Sequence, residues 1–564
     1  MPSKMTRSQK MRSPLLLLAP IFAACAKDFE EPEVEAASAG ALSIIEPAAG
    51  AWLPTGTTAV SGTALSVASL TVNGEAVEVV TGSFETTAEL RRGINLIEVV
   101  GTEADGDTLM QRHGVIAGDF ATPDGAVEDA AVARLNRDGL TSLAEFGASF
   151  VDAQTVSKAL ADAGAVPIAK PFTGTWAEAT IEGIDFSAPQ ITLDPTTGAL
   201  DITVVLPDMY VDVDMYGEII WIDFTQDLVV TADEVVITAE LTLGAEDGRI
   251  VAGLLDPEVT LDGFAYDISL LPSFIEGYVF IDTIQAALEE ELVTQMSEMI
   301  PVILDETLST LDFSFSADVL GKPLTATAGF SRADVDTDGI EIGVDIDVTV
   351  PGDGTMSYNG YLTTGTLLGT PDEDAEVAML LSDDLLNRIA FEVWRGGLME
   401  MTLSTEDGSL EPALIQMLKT DSATVTLSAA LPPVITQSAA GVLQLQIAEL
   451  GVVLLTPGGE LGEEMVLDVT AFADVSPELA DGELSMSLGE LDIAISTRSS
   501  DWGASTEATS RLVEEMLPLE LIPALLSQIS FAIPELGGLT IADAVVSRPD
   551  AFSTAITLDV EVAQ

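Results

Sequence analysis

The chain has 564 residues, with 92 Asp+Glu against 21 Lys+Arg and a formal net charge of −71. A field of that sign repels phosphate backbones and excludes nucleic acid as a partner, while 47 % hydrophobic residues exclude an acidic disordered chain and supply several cores. A single cysteine excludes an internal disulfide, and one histidine with no G-x-S-x-G, H-E-x-x-H or P-loop pattern leaves little for nucleophilic, zinc or phosphoryl chemistry, so neither enzyme activity nor a cofactor is expected.

The first element is a leader. Lys4, Arg7, Lys10 and Arg12 form a basic head, Leu15 to Phe22 a short apolar run, and Ala23-Ala24-Cys25 follows. A run this short is a secretory signal and not a membrane span. With the sole cysteine at the cut site, the segment resembles a bacterial lipobox, although Phe22 stands where that pattern prefers Leu. The resemblance implies cleavage of residues 1–24, acylation of Cys25 and attachment to the outer membrane, on the periplasmic or the surface face. More than one acyl chain is needed for stable anchoring, and that modification supplies them. The alternative is an ordinary signal whose cysteine is incidental. Cleavage leaves 17 Lys+Arg against 92 Asp+Glu, a formal −75. Residues 25–41, with Asp28, Glu30, Glu31, Glu33 and Glu35 ahead of an Ala/Ser/Gly run, hold too little apolar material to fold and read as a tether. No later segment reads as a membrane helix; Leu292 to Leu304 is broken by Thr294, Gln295, Ser297, Glu298 and Pro301.

Residues 42–117 carry turn signals at Asn73-Gly74, Gly82-Ser83 and Gly93 between short alternating runs such as Ile94 to Val100. Six or seven short strands at this spacing predict a β-sandwich. The segments Val72-Asn73-Gly74, Gly82-Ser83-Phe84 and Gly93 to Val99 resemble bacterial Ig-like repeats, which implies a spacer or interaction module. The lone His113 reads as structural.

From Val127 to about Leu160, Val132, Leu135, Leu143, Phe146, Phe150 and Val151 fall at helical spacing. Strands follow: Leu200, Ile202, Val204 and Leu206 alternate with other residues, as do Val211, Val213 and Met215, and then Val235, Ile237, Ala239, Leu241 and Leu243. A second helix is predicted from about Asp282 to Leu311, its stripe set by Ile284, Leu288, Leu292, Met296, Ile300 and Leu304 and kinked at Pro301. The same order recurs with strands, a helix from Ser382 to about Trp394, further strands, a helix from about Thr509 to Ser530, and closing strands. This order divides the remainder into 118–320 and 321–564.

Three segments resemble the bactericidal/permeability-increasing protein family. They are Leu135-Asn136-Arg137-Asp138-Gly139-Leu140 with the helix after it, Leu381 to Leu398 with its helix and Gly396-Gly397, and Pro534 to Leu539 with the closing Ile556, Leu558 and Val560. The resemblance implies a TULIP fold. The expected class is then α+β, an Ig-like β-sandwich followed by two elongated barrels in which long helices pack in antiparallel sheets around a shared central sheet. It also implies an apolar seam for phospholipid or another fatty-acyl ligand, with Leu135, Leu143, Phe146, Phe150, Ile284, Leu288, Leu292 and Met296 as lining residues, and possible transfer of that lipid. The family's disulfide and its cationic lipopolysaccharide-binding tip are absent from this sequence, so lipopolysaccharide binding is not implied. From periodicity alone a closed core is the better reading of these side chains, and the resemblance reverses that preference for the seam as a whole but not for each residue. The alternative function is a non-catalytic surface spacer or adhesin without lipid cargo.

One further motif, Asp334-Val335-Asp336-Thr337-Asp338-Gly339, resembles the first half of a calcium loop. Asp345 stands at the twelfth position where Glu is the rule, so an acidic hairpin turn is the better reading and no metal is expected.

Overall fold

The computed structural model describes residues 42–148, 153, 166–168, 175–219, 222–268, 285–286, 289–290, 293–294, 314–319, 322–352, 357–372, 374–410, 413–438, 441–460, 462–480, 483–500, 530–532 and 539–562. Cys25 and the tether lie outside them.

Residues 42–117 form a four-stranded and a five-stranded sheet over one core that includes Leu42, Val60, Leu70, Phe84, Ile97 and Val115. Asn73 and Gly74 turn between the strands Val67–Val72 and Glu75–Val77 with φ of +48° and +80°. Two successive positive φ values match the twist of the flanking strands, and Asn-Gly adopts them at little cost. His113 is structural in place: its Nδ1 lies 3.0 Å from the Pro47 carbonyl oxygen.

A seven-stranded sheet stands at the centre of the remaining chain. Its strands run in the order Phe315–Val319, Lys322–Val335, Gly339–Thr349, Val127–Asn136, Val377–Ser382, Ser553–Val562 and Leu539–Ser547. A first sheet of long strands is built from 166–268, with Thr175–Asp185, Ala199–Ile219, Ile222–Glu246 and Arg249–Asp262 side by side. A second is built from 401–532, with Thr424–Ala429, Leu443–Leu455, Glu464–Ala480 and Glu483–Ser500 as its main strands.

These observations correct the expected α+β class with long helices packed in the sheets. The described residues are mostly strand, the longest 21 and 25 residues. Helices bounded within the described residues run Arg137–Ala148, Asp383–Arg395 and Ala413–Leu418, with 12, 13 and 6 residues.

Val127–Asn136, expected to open a helix reaching Leu160, is an interior strand of the central sheet, paired on one side with Gly339–Thr349 and on the other with Val377–Ser382. Val132 and Leu135 satisfy either periodicity. The strand wins because ladders on both edges pair its backbone while apolar clusters packed on the sheet bury most of its side chains. The helix starts only at Arg137, where Asn136 Oδ1 accepts from the Gly139 N–H at 2.9 Å. Of the expected 282–311 helix, residues 285–286, 289–290 and 293–294 are helical, and Gln285 Nε2 donates to Glu289 Oε1 at 2.9 Å. The rest of it lies outside the described residues. So does 509–529, while Ser530 opens a short strand to Ala532.

Candidate functional site

A continuous apolar surface lies on the inward face of the first sheet. Alternation along Ala199–Ile219 turns Leu200, Ile202, Val204, Leu206, Met209, Val211, Val213 and Met215 to one side, all buried. The neighbouring strand Ile222–Glu246 matches them rung for rung: Leu200 faces Leu241, Val204 faces Ile237, Leu206 faces Val235, Met209 faces Ala232 and Val211 faces Val230. At Asp208, with φ +51°, the alternation skips a residue between Leu206 and Met209. The partner strand skips between Ala232 and Val235 across from it, so both inward rows stay in step. At about 3.4 Å per residue, the strand extends on the order of 70 Å. Outward positions of the two strands include the exposed Asp201, Asp212, Asp214, Asp227, Glu234 and Glu240.

A short helix lies over one end of this face. Leu140 and Ala144 are buried in it, and Leu143 packs half-buried against the same apolar cluster as Ile191 and Leu193 of Gln190–Thr196 and Phe186. Gly139 lets the helix approach closely, since a Cβ there would sit 2.3 Å from the Glu376 carbonyl oxygen. The helix start is clamped by cations. Arg137 donates from Nε to the Thr337 carbonyl at 3.0 Å and from Nη2 to that of Pro195 at 3.2 Å, and it pairs with Asp194 at 3.2 Å. Buried Arg134 donates to both oxygens of Asp336, at 2.8 and 3.0 Å. The hydrogen bonds from Arg134 and from the N–H groups of Asp338 and Gly339 hold the Asp336 carboxyl below the usual range.

The calcium-like segment is therefore a hairpin turn between Lys322–Val335 and Gly339–Thr349, with Asp336 turned to Arg134 and to backbone. Asp334 lies 3.7 Å from Arg332. Asp338 supplies the N–H that Asp336 accepts. Among the described residues no group of three or more His, Cys, Asp or Glu is placed to hold a metal ion.

The second sheet closes over the helix Asp383–Arg395, which is buried along its length from Asp383 to Trp394. Its polar groups are matched to protein. Ser382 caps it, accepting from Asp384 N. Asn387 Nδ2 donates to the Ile435 carbonyl at 3.0 Å, and its Oδ1 accepts from Ile435 N at 2.8 Å. Trp394 Nε1 donates to the Ala429 carbonyl at 2.7 Å. Arg548 reaches both oxygens of Asp383, at 2.6 and 2.9 Å, yet burial outweighs this pairing and pushes the Asp383 carboxyl up. Burial likewise raises Glu392, although Arg395 and Arg388 pull it down. These groups are buried and already paired within the protein.

The sandwich is fastened to this half. Ile94 N donates to Gln446 Oε1 at 2.8 Å and Gly114 N donates to Glu449 Oε1. Ile94, Ile116, Leu362, Leu431, Val434 and Ala448 form a small shared core.

Of the sequence-predicted lining residues, Leu135 sits on the central sheet and packs against both large cores. Leu143 is on the short helix beside the inward face. Phe146 is in that helix, but its side chain, with Phe150, Ile284, Leu288, Leu292 and Met296, lies outside the described residues. The strand rows themselves were not among the candidates. Their signal was present in the alternation from Leu200 to Met215.

No protein-family model matches the chain, and no curated protein matches it significantly. Fifteen chains of solved structures match. Among them is one described as the crystal structure of lipopolysaccharide binding protein, with a TM-score of 0.43 and 14 % identity over 78 % of this chain and 100 % of that chain.

Proposed function

We propose that the protein binds acyl-chain lipid against the inward face of the first sheet and acts by holding or transferring that lipid without chemistry of its own. The observation that carries this reading is the pair of matched apolar rows from Leu200 to Met215 and Leu228 to Leu241, edged by the half-buried Leu143, Ile191 and Leu193. Burial of one methylene is worth about 0.8 kcal/mol, so a sixteen-carbon chain contributes on the order of 10 kcal/mol before ordering costs. Such binding needs shape and apolar side chains and no charge.

The leader adds the setting: acylation of Cys25 anchors the protein to the outer membrane, and 26–41 holds the folded part away from it. A passive spacer or adhesin is less favoured, because the 42–117 sandwich shares a core and buried hydrogen bonds with the second half.

The test is uptake of a fluorescent fatty acyl probe by the soluble chain. Leu143→Gln and Ile191→Gln, both half-buried, should lower uptake severalfold with an unchanged circular dichroism spectrum. Val545→Gln, exposed at 56 % on the central sheet, should leave it unaltered. Equal uptake by all three variants and the unmodified chain defeats this location for the lipid.

A further inference from the structure

Resting on that reading, we propose that the lipid held by this protein carries no net negative charge on its headgroup: an acylglycerol or a zwitterionic lipid, and not a phosphatidylglycerol, a fatty acid carboxylate or another anionic lipid.

Two independent features point there. The first is the distribution of charge around the apolar rows. From 171 to 248 the sequence has no lysine or arginine. Over the same stretch the exposed outward positions carry Asp201, Asp212, Asp214, Asp223, Asp227 and Glu234. A headgroup emerging beside these positions meets carboxylates, and like charges near a protein surface repel appreciably until salt screens them.

The second feature is where the nearby cations are spent. A phosphate or carboxylate is normally held by arginine through paired hydrogen bonds. Arg137, the cation at the start of the short helix, is committed to Asp194 and to the carbonyls of Thr337 and Pro195. Arg134 is committed to Asp336, and Arg332 to Asp129 and Glu341. To obtain one of these three as its partner, an anionic headgroup must displace an internal carboxylate; Arg249, exposed on the hairpin just past this stretch, stands outside that set. A neutral headgroup loses nothing by finding none.

The experiment is displacement of a neutral fluorescent diacylglycerol from the whole soluble chain, in EDTA so that divalent cations cannot bridge acid to acid. Competitors are unlabelled diacylglycerol, phosphatidylcholine and phosphatidylglycerol, each at low and at high sodium chloride. Phosphatidylglycerol should compete at least tenfold more weakly than the other two at low salt, and the gap should narrow at high salt. Asp194→Asn releases Arg137 from its carboxylate at a site where both side chains are more than half exposed, so folding is retained. It should strengthen competition by phosphatidylglycerol and leave diacylglycerol unchanged. Equal competition by all three lipids at low salt overturns the charge selection alone. Failure of the neutral probe to bind overturns it together with the reading it rests on.

Discussion

Ala133 pairs with Met379 at the middle of a five-rung antiparallel ladder in the central sheet. Each of the two strands runs directly into a helix, Asn136 into Arg137–Ala148 and Ser382 into Asp383–Arg395. Because the strands are antiparallel, the helices leave from opposite ends of the ladder, and each is followed in sequence by a meander of long strands. The repeated order of elements thus meets in one pair of adjacent strands.

Two glycines in the first of these helices give opposite expectations. A Cβ on Gly139 would lie 2.3 Å from the Glu376 carbonyl oxygen, which is backbone and cannot yield cheaply. Gly139→Ala should lower stability by more than about 1 kcal/mol despite the better helix propensity of alanine. A Cβ on Gly147 would meet Ile191 Cδ1 at 3.7 Å, an ordinary contact. Gly147→Ala should raise stability by up to about 1 kcal/mol. Denaturation midpoints of the two variants check both signs.

The Asp383–Arg548 pair should show the asymmetry of buried ion pairs. Arg548→Met strands a fully buried carboxylate and should cost about 3–5 kcal/mol. Asp383→Leu combined with Arg548→Met should cost much less, since neither charge is left alone. A double-mutant cycle by chemical denaturation measures this coupling.

Asp336 should give the fold an acid-sensitive clamp. Its carboxyl is held below the unfolded value, chiefly by Arg134. The stability it contributes is therefore present above the unfolded pKa of about 3.9 and is lost as pH falls through the lower folded value. Asp336→Asn should lower Tm at pH 7, and the gap to the unmodified chain should close below about pH 4. A gap that is constant with pH contradicts the clamp.

Much of this local structure was legible in the residues. Alternation from Leu200 to Met215 reports the inward row, Asn73-Gly74 reports its turn, and Ser382 to Trp394 reports a capped helix. Asp334 to Gly339 reads correctly as a turn because Asp and Gly satisfy and bend a backbone locally. Partners separated in sequence were not legible. Val127–Asn136 is ambiguous between periods until its two neighbouring strands, more than 200 residues away, are known. The paired skips at Asp208 and Asp233 depend on register, and nothing near Asp383 announces Arg548. For the proposed site, the sequence points to the helix-borne Leu143, whereas the strand rows that supply most of the apolar face read as sheet and not as lining.

The leader gives an expectation independent of the fold. Fatty acid fed to producing bacteria should label the unmodified protein and leave Cys25→Ala unlabelled, with Cys25→Ala released from the membrane fraction. Equal labelling contradicts acylation at this residue.

The central claim is cargo against the first sheet, and denaturing mass spectrometry of the purified soluble chain tests it most directly. The account predicts lipid released in roughly stoichiometric amount, and less of it from Leu143→Gln. A chain that yields no lipid from membrane-containing cells, and takes up none when offered it, contradicts the account and leaves a tethered scaffold.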